Sequence, residues 1–402
     1  MKKIIFVFTL AAALMGTAAM AQQPEHNHQN CPHHNQQKVD QPRPDQAPQA
    51  VSCQSLPGDK ECCHKEQSSQ HQCQHHEGHC NHDAFRPHGQ AIITLFEHFG
   101  ATNTADGWTQ NGFQMERAYF GYKYMFDPHW TATVIFDASE AATNGIEHVF
   151  VKNANVQYKN HRFTAIAGII NSSQAVLAEK YWGLRYVARS MYDLYGYGNT
   201  ADLGFNLKYD IAPWLSADFS MLNGEGFRKI QLDNHYLYGL GLNISPIEHF
   251  DIRIYGDIQT HDTNAVSVSR GTLADTAVNP VARKNVHFFA GYDHRYFRIG
   301  AEYNMRFACN YLPGDNATGL SVYAVGKINP KLNLFCRYDR GVSSDNDLLG
   351  TAFQYAYDGQ NIFAGVDYRI NKLVAVSPAI QYHITPSGAT SLYAYLSCKV
   401  NL

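Results

Sequence analysis

Hydrophobic and polar residues alternate along many stretches of the chain between position 90 and the C-terminus. Residues 249–259 carry apolar side chains on one face and polar ones on the other, namely Phe250, Ile252, Ile254 and Ile258 against Asp251, Arg253, Asp257 and Gln259. Residues 297–307 follow the same period of two. Alternation of this kind predicts β-strands whose two faces contact different environments.

The pattern predicts sixteen strands, at about 90–99, 112–125, 130–138, 148–158, 162–170, 200–210, 214–222, 235–245, 249–259, 284–293, 296–306, 318–328, 332–341, 360–370, 373–384 and 390–402. Seven connections are tight turns rich in Pro, Asn and Asp, which turns favour, and they alternate with eight mostly longer connections. All tight turns and both ends of the strand region therefore fall on one side of an antiparallel sheet, which requires an even number of strands.

Strands of this length with one apolar face are typical of barrels that have lipid outside and water inside. We therefore predict an all-β fold over residues 89–402, a sixteen-stranded antiparallel transmembrane β-barrel. The expected location is the outer membrane of a Gram-negative bacterium, where the barrel contacts lipid and both termini are periplasmic. The 25 Tyr and 22 Phe residues suit the aromatic girdles of such barrels. A soluble β-sandwich or propeller is the alternative, but no blade-like repeat is found.

The N-terminal region divides into two segments of different character. Lys2 and Lys3 precede an apolar run, and Ala19-Met20-Ala21 forms a cleavage site, so residues 1–21 are predicted to be a secretory signal peptide. Residues 22–88 consist largely of His, Gln, Cys, Pro and Asn. With almost no large apolar side chains, this periplasmic segment is predicted to be disordered unless metal or disulfides order it.

Charge and motifs exclude two functional classes. The chain has 32 Lys plus Arg and 35 Asp plus Glu, with no basic stripe of the kind that binds nucleic acid. No Gly-x-Ser-x-Gly motif occurs, and Ser and His residues are scattered among the strands, so an enzyme is not expected. No cofactor is expected for the barrel.

The third long connection, residues 171–199, interrupts the strand pattern. Residues 177–191 within it have helical character, with Lys180, Arg185 and Arg189 at spacings that could share a face. A long connection with structure of its own is usually functional. A sixteen-stranded barrel has a wide, watery lumen, and a loop folded into it is the simplest way to narrow it.

Four motifs resemble the phosphate-selective porin O and P family: residues 115–124 (Met-Glu-Arg-Ala-Tyr-Phe-Gly-Tyr-Lys-Tyr), 180–185 (Lys-Tyr-Trp-Gly-Leu-Arg), 201–204 (Ala-Asp-Leu-Gly) and 222–226 (Leu-Asn-Gly-Glu-Gly). The resemblance spans most of 90–402. It implies a sixteen-stranded, usually homotrimeric channel whose third loop folds into the lumen. In this chain, 171–199 would be that loop, and Lys180, Arg185, Arg189 and Asp193 would form the pore constriction.

Charged residues of both signs are predicted to line the pore. By strand parity the inward-facing set includes Lys208, Arg253, Asp257, Arg298, Glu302, Arg306, Arg337, Asp339 and Arg369. Selectivity for phosphate would need clustered basic donors, whereas mixed signs suit a general pore with weak ion preference. The leading functional prediction is passive diffusion of small hydrophilic solutes or ions.

A second prediction concerns the ten His and six Cys residues in 22–83. Imidazole and thiolate bind zinc and copper, so this tract is a candidate site for Zn(II) or Cu(I). The candidate ligands are Cys62, Cys63, His64, Cys73, His75, His76, His79 and Cys80. Disulfide formation in an oxidising periplasm is the alternative. The rival function is therefore a metal-handling channel whose tract captures Zn or Cu ions.

Overall fold

A computed structural model of the chain describes residues 85–140, 147–229, 234–261, 266–270, 273–346, 351–352 and 357–402. The predicted signal peptide and all eight candidate metal ligands lie outside these residues, as does most of the 22–88 segment. Sixteen strands form a closed antiparallel barrel, in which each strand pairs with its neighbours and the first pairs with the last.

The barrel strands are β1 (His88–Thr104), β2 (Gly107–Met125), β3 (Trp130–Glu140), β4 (Glu147–Asn160), β5 (Phe163–Asn171), β6 (Ala201–Ala212), β7 (Leu215–Leu222), β8 (Leu237–Ile247), β9 (Phe250–Gln259), β12 (Arg283–Asp293), β13 (Phe297–Phe307), β14 (Ala317–Asn329), β15 (Leu332–Ser343), β18 (Gly359–Arg369), β19 (Val374–Ile384) and β20 (Thr390–Asn401). Two small hairpins lie in long connections: β10 (Val266–Arg270) with β11 (Leu273–Val278), and β16 (Asp345–Asn346) with β17 (Thr351–Ala352). The helices are α1 (Ser173–Trp182) and α2 (Met191–Leu194).

The prediction of a sixteen-stranded antiparallel barrel is confirmed, and each predicted strand overlaps an observed one. The first connection differs, because β1 and β2 continue as one long hairpin where a longer loop was expected. Asn103 pairs with Trp108, so only residues 105 and 106 separate the two strands. The polar Thr, Asn and Gln residues here extend the backbone ladder, and a hydrogen bond from Thr102 to Asn111 joins the two strands.

The two faces of each strand differ as the alternation predicts. On β9, Arg253, Asp257 and Gln259 are buried, whereas Ile254 and Ile258 are each 38% exposed. Large apolar side chains cover the outer face of the other strands in the same way. Such a surface is unfavourable in water and suits hydrocarbon. Among the described residues, no helix is long and apolar enough to cross a membrane.

The tight turns are held by side chains that bond to their own backbone. The carboxylate of Asp127 accepts hydrogen bonds from the backbone N–H groups of His129 at 2.7 Å and Trp130 at 2.9 Å. Asn371 accepts equivalent bonds from Leu373 and Val374, both at 2.8 Å. These local bonds are the physical reason that Asp and Asn mark turns. The seven tight turns share one end of the barrel with the start of β1 and the end of β20.

Candidate functional site

The connection between β5 and β6, residues 172–200, lies inside the barrel, and we call it the luminal segment. Its ends meet where the Ser172 N–H donates to the Thr200 carbonyl at 2.9 Å. Helix α1 ends at Trp182 because Gly183 adopts a left-handed conformation, with φ of 64°. The helical character expected over 177–191 is therefore found only up to Trp182 and again at Met191, and Lys180, Arg185 and Arg189 do not share a helical face. Glycine is the residue that ends helices in this way.

Aromatic side chains fix the luminal segment against the inner wall. The Trp182 ring packs against Tyr323 with 5.2 Å between centroids and against Phe335 with 5.8 Å. The Tyr181 ring packs against Phe289 at 5.4 Å. These residues belong to a buried apolar cluster that also includes Phe96 of β1 and Tyr395 of β20. The barrel thus has a hydrophobic core on one side of its lumen.

Inward-facing arginines bind the backbone of the luminal segment. Arg298 donates to the Trp182 carbonyl at 2.9 Å, Arg337 donates to the Arg189 carbonyl at 2.5 Å, and Arg306 donates to the Gly196 carbonyl. The contact with Arg298 places a positive charge at the C-terminal end of α1, where helix carbonyls lack partners and the dipole is negative. Three predicted pore-lining arginines therefore hold the luminal segment in place.

Acidic and aromatic groups complete this attachment. Glu302 accepts a hydrogen bond from the Met191 N–H at 3.0 Å, and Asp367 accepts one from the Tyr186 hydroxyl at 2.6 Å. Asp339 pairs with Arg337 at 2.5 Å, and both side chains are almost fully buried. Together with the arginines, these contacts join the luminal segment to strands β13, β15 and β18.

Along β2–β9 the lumen remains open. A cavity of about 810 Å³ lies between these strands and the luminal segment, and we call it the side cavity. Of the predicted pore-lining residues, Lys208 and Arg253 border it. Asp257, Arg298, Glu302, Arg306, Arg337 and Asp339 lie against the filled half of the lumen instead, and Arg369 is exposed. Strand parity identifies the inner face but not which part of it the luminal segment covers.

The charges bordering the side cavity are largely paired. Arg253 forms two hydrogen bonds with Asp218, at 2.8 and 3.1 Å, and a third with the Ser173 hydroxyl at 2.8 Å. Lys208 forms an ion pair with Asp210 at 2.9 Å. These charges satisfy one another. The other polar groups that line the side cavity are mostly neutral Thr, Asn, Gln and Ser side chains.

A group of charged residues lies beyond the side cavity, toward the long connections, and we call it the charged cluster. Asp137 is two residues beyond the cavity-lining Ile135 on β3 and pairs with Arg117 at 3.1 Å and Arg228 at 3.8 Å. The luminal segment contributes four members of the cluster: Glu179, Arg185, Arg189 and Asp193. Strands β2, β3 and β4 contribute Arg117, Asp137 and Lys152, and the connection after β7 contributes Arg228.

Within this cluster, the predicted constriction residues have distinct environments. Arg185 pairs with Asp193 at 2.8 Å and also with Glu179, whereas Arg189 is 4.0 Å from Asp193. Burial raises the pKa of the Glu179 carboxyl, although the charge of Arg185 partly lowers it. Burial also opposes ionisation of Asp193, but Arg185 and Arg189 outweigh it and hold the pKa of Asp193 below its usual value. Lys180 lies outside the cluster, is 70% exposed and is 3.9 Å from Asp251.

Lys152 and Arg228 were missed by sequence reasoning for identifiable reasons. A β-bulge shifts the register between β3 and β4 at Ile135/Phe136, so simple parity fails near Lys152. The Lys152 ammonium lies 4.9 Å from the centre of the Phe227 ring and 3.4 Å from the Thr200 hydroxyl. Arg228 belongs to a connection, where strand alternation gives no information.

Solved structures with the same fold are outer-membrane proteins. They include OprB of Pseudomonas putida (11% identity, TM-score 0.56, covering 78% of this chain and 94% of that chain). Others are OmpF of Salmonella typhi in complex with daunomycin (15%, 0.55, 77% and 97%) and an anion-selective porin from Comamonas acidovorans (9%, 0.55, 79% and 100%). No protein-family model and no curated protein matches the sequence. At such low identities the likeness shows the fold alone.

Proposed function

We propose that this protein is an outer-membrane channel of a Gram-negative bacterium, through which small hydrophilic solutes or ions diffuse passively. The observation that carries the proposal is the division of the lumen into a filled half and an open side cavity inside a barrel with an apolar outer face. A channel needs a hydrophilic path shielded from lipid, and a polar cavity inside an apolar shell supports this function. The short turns and both ends of the strand region would face the periplasm, as in barrels of this kind.

The constriction would be the charged cluster, where Arg185, Arg189 and Asp193 of the luminal segment approach the wall. The cluster contains five basic and three acidic side chains. A modest excess of positive charge at the narrowest region favours anions without excluding cations. Lys180 and Lys208 lie on the side-cavity side of this region, where Asp251 and Asp210 offset their charges.

Two finer assignments rest on the sequence resemblance, namely membership of the phosphate-selective porin O and P family and assembly as a homotrimer. Both are supported by the motifs at 115–124 and 180–185 together with a fold shared with porins. A channel is favoured over an enzyme because the inward charges identified above pair with one another or hold the luminal segment.

Single-channel recording in planar bilayers tests this function. The purified protein should give stable conductance steps, and reversal potentials in asymmetric KCl should show a weak preference for chloride. Arg189→Glu should move the reversal potential toward cation preference, because Arg189 is only loosely paired in the proposed constriction. Lys372→Glu makes the same charge change in a tight turn and should leave selectivity unchanged. Absence of conductance would refute the channel, and equal effects of both variants would refute the constriction.

A further inference from the structure

One wall of the side cavity carries a patch of uncharged hydrogen-bonding side chains on four adjacent strands. Thr131 and Thr133 lie on β3, Asn155 and Gln157 on β4, Thr164 on β5 and Asn206 on β6, and all six border the cavity. The pairing register places Thr131 opposite Gln157 and Thr133 opposite Asn155. Opposed side chains in such a ladder lie close enough to bind the same small molecule.

The hydrogen-bonding groups of this patch are available to a ligand. Among the described residues, Thr131, Thr133, Gln157 and Thr164 have no side-chain hydrogen-bond partner. The Asn155 amide donates to the Ile169 carbonyl at 2.9 Å, and the Asn206 amide donates to Asp218 at 3.2 Å. Their amide NH₂ groups are thus engaged while their side-chain carbonyls remain acceptors. The wall therefore offers both donors and acceptors without charge.

The luminal segment supplies apolar surface to the same cavity. Val176 on α1 is 50% exposed and borders the cavity together with Leu177, whereas its neighbour Ala175 is buried. A valine in this position leaves apolar surface facing a polar wall. Water gains nothing from such a contact, but a solute with both hydroxyl groups and C–H surface can use both sides.

Charged solutes are less well matched to this region. Arg253 is already paired with Asp218, and Lys208 with Asp210, so an ionic solute would have to compete with existing pairs. Lys123, opposite Thr133 in the register, adds one ammonium donor at the edge of the patch. Uncharged hydroxyl groups can bind the patch without breaking any of these contacts.

We propose that the side cavity is a binding site for uncharged polyhydroxylated solutes, that is, sugars and polyols. Their hydroxyl groups would bond to Asn155, Gln157 and the threonines, while their C–H faces pack against Val176 and Leu177. This inference rests on the proposed channel function and specifies a class of solute whose diffusion the pore accelerates.

Liposome swelling with the full-length protein tests this proposal, using glucose and triethylene glycol as uncharged probes. Triethylene glycol carries few hydroxyl donors, so it reports on pore size alone. We expect glucose entry to saturate with concentration and triethylene glycol entry to rise linearly. The double variant Asn155→Leu with Gln157→Leu should lower the initial glucose rate about threefold or more while leaving the triethylene glycol rate unchanged. Gln360→Leu, an outward-facing replacement of the same type, is the control.

Two further measurements keep the test decisive. Val176→Asn alters a side chain that is already half exposed, so it should fold normally and still lower the glucose rate. KCl conductance of each variant shows whether the channel is intact. If conductance is normal but glucose never saturates, or if both probes change equally, the binding site is refuted and the channel stands. If the wild-type protein shows no conductance, the proposed function itself fails.

Discussion

The side chains that decide the architecture of the lumen are arginines used as backbone donors. Arg337 illustrates why arginine suits this role. Its guanidinium binds both oxygens of Asp339, at 2.8 and 2.5 Å, donates to the Arg189 carbonyl and lies 5.2 Å from the Trp182 ring. A planar fork with five donors can make all these contacts at once, which an ammonium group cannot.

Replacing Arg337 by Met should release the luminal segment. The change leaves Asp339 buried without its partner, which costs about 3–5 kcal/mol. We expect a lower denaturation midpoint and faster proteolysis within residues 183–190. The double variant Arg337→Met with Asp339→Leu removes both charges and should recover most of the loss. Arg340→Met, on the outward face of the same strand, serves as control and should change stability little. Equal behaviour of Arg337→Met and Arg340→Met would show that the arginine does not hold the segment.

The backbone conformation at position 168 requires glycine. Its φ of 116° is unfavourable for other residues, and a Cβ there would lie 2.1 Å from the Ala154 carbonyl oxygen. Gly168→Ala should therefore destabilise the barrel by about 1–3 kcal/mol. At Gly326 the nearest atom would be 3.9 Å away, so Gly326→Ala should be nearly neutral. The temperature at which each variant loses its folded mobility in detergent gels would measure both effects. Equal shifts for the two variants would contradict the requirement for glycine at position 168.

For single residues, the sequence predicts which face of the barrel a side chain lies on better than it predicts what that side chain contacts. Parity places Arg253, Arg298 and Arg337 on the inner face, where the structure finds them. Whether such a residue faces water or the luminal segment depends on contacts between residues 80 to 148 positions apart in sequence, and no local pattern encodes them. The β-bulge at Ile135/Phe136 similarly hides Lys152 from a parity argument.

Strands and helices differ in how well the sequence specifies them here. The barrel strands have an exposed apolar face on one side and a polar lumen or the luminal segment on the other, so their alternation is strong and all sixteen were predicted. The four short strands of the two hairpins in the long connections were not predicted. Helix α1 is enclosed by the barrel, and its residues Ala178, Tyr181 and Trp182 are buried by different strands. Its exposed positions include the apolar Val176 as well as Lys180, so exposure does not follow polarity along the helix, and the sequence gives no clear period from which to place its limits. Gly183 was the available signal for its end.

Substitutions on β9 and β4 should reveal the two environments of the strands. Ile254→Arg places a charge on the lipid-facing side and should cost about 2–4 kcal/mol near the bilayer midplane. Gln157→Arg introduces the same side chain into the side cavity, where water solvates it, and should cost much less. Asp257 is unsuitable as the lumen comparator, because it is buried and accepts a hydrogen bond from Asn285 at 2.7 Å. Denaturant titration in lipid vesicles measures the difference, and equal costs would contradict the face assignment.

For the whole molecule, the barrel and its number of strands can be predicted because the alternation of apolar and polar residues holds for each barrel strand. The division of the lumen could not be predicted from that rule. It arises because the luminal segment contacts the inner wall from β9 through β20 and β1, but leaves β3–β8 largely uncovered. The side cavity is consequently off-centre in the barrel.

The His/Cys tract at 22–83 leads to a separate prediction for the intact chain. A reduced peptide of residues 60–83 should bind Zn(II) or Cu(I) with about micromolar or better affinity at neutral pH, and binding should weaken near about pH 5 as His and Cys protonate. Isothermal calorimetry measures this, with a control peptide that carries Ser and Asn at Cys62, Cys63, His64, Cys73, His75, His76, His79 and Cys80. No heat of binding with the reduced peptide would refute metal capture. Deleting 22–83 should leave channel conductance unchanged.

The luminal segment bonds to the first and the last strand of the barrel. His98 of β1 bonds to the Tyr186 carbonyl at 2.7 Å, and Tyr395 of β20 donates to the Val187 carbonyl at 3.2 Å. The pairing of these two strands closes the barrel. The luminal segment therefore contacts both strands whose pairing closes the barrel, and its bonds to them favour the closed sheet over an open one. Closure of the barrel and docking of the segment are thus thermodynamically coupled, because the same two strands take part in both.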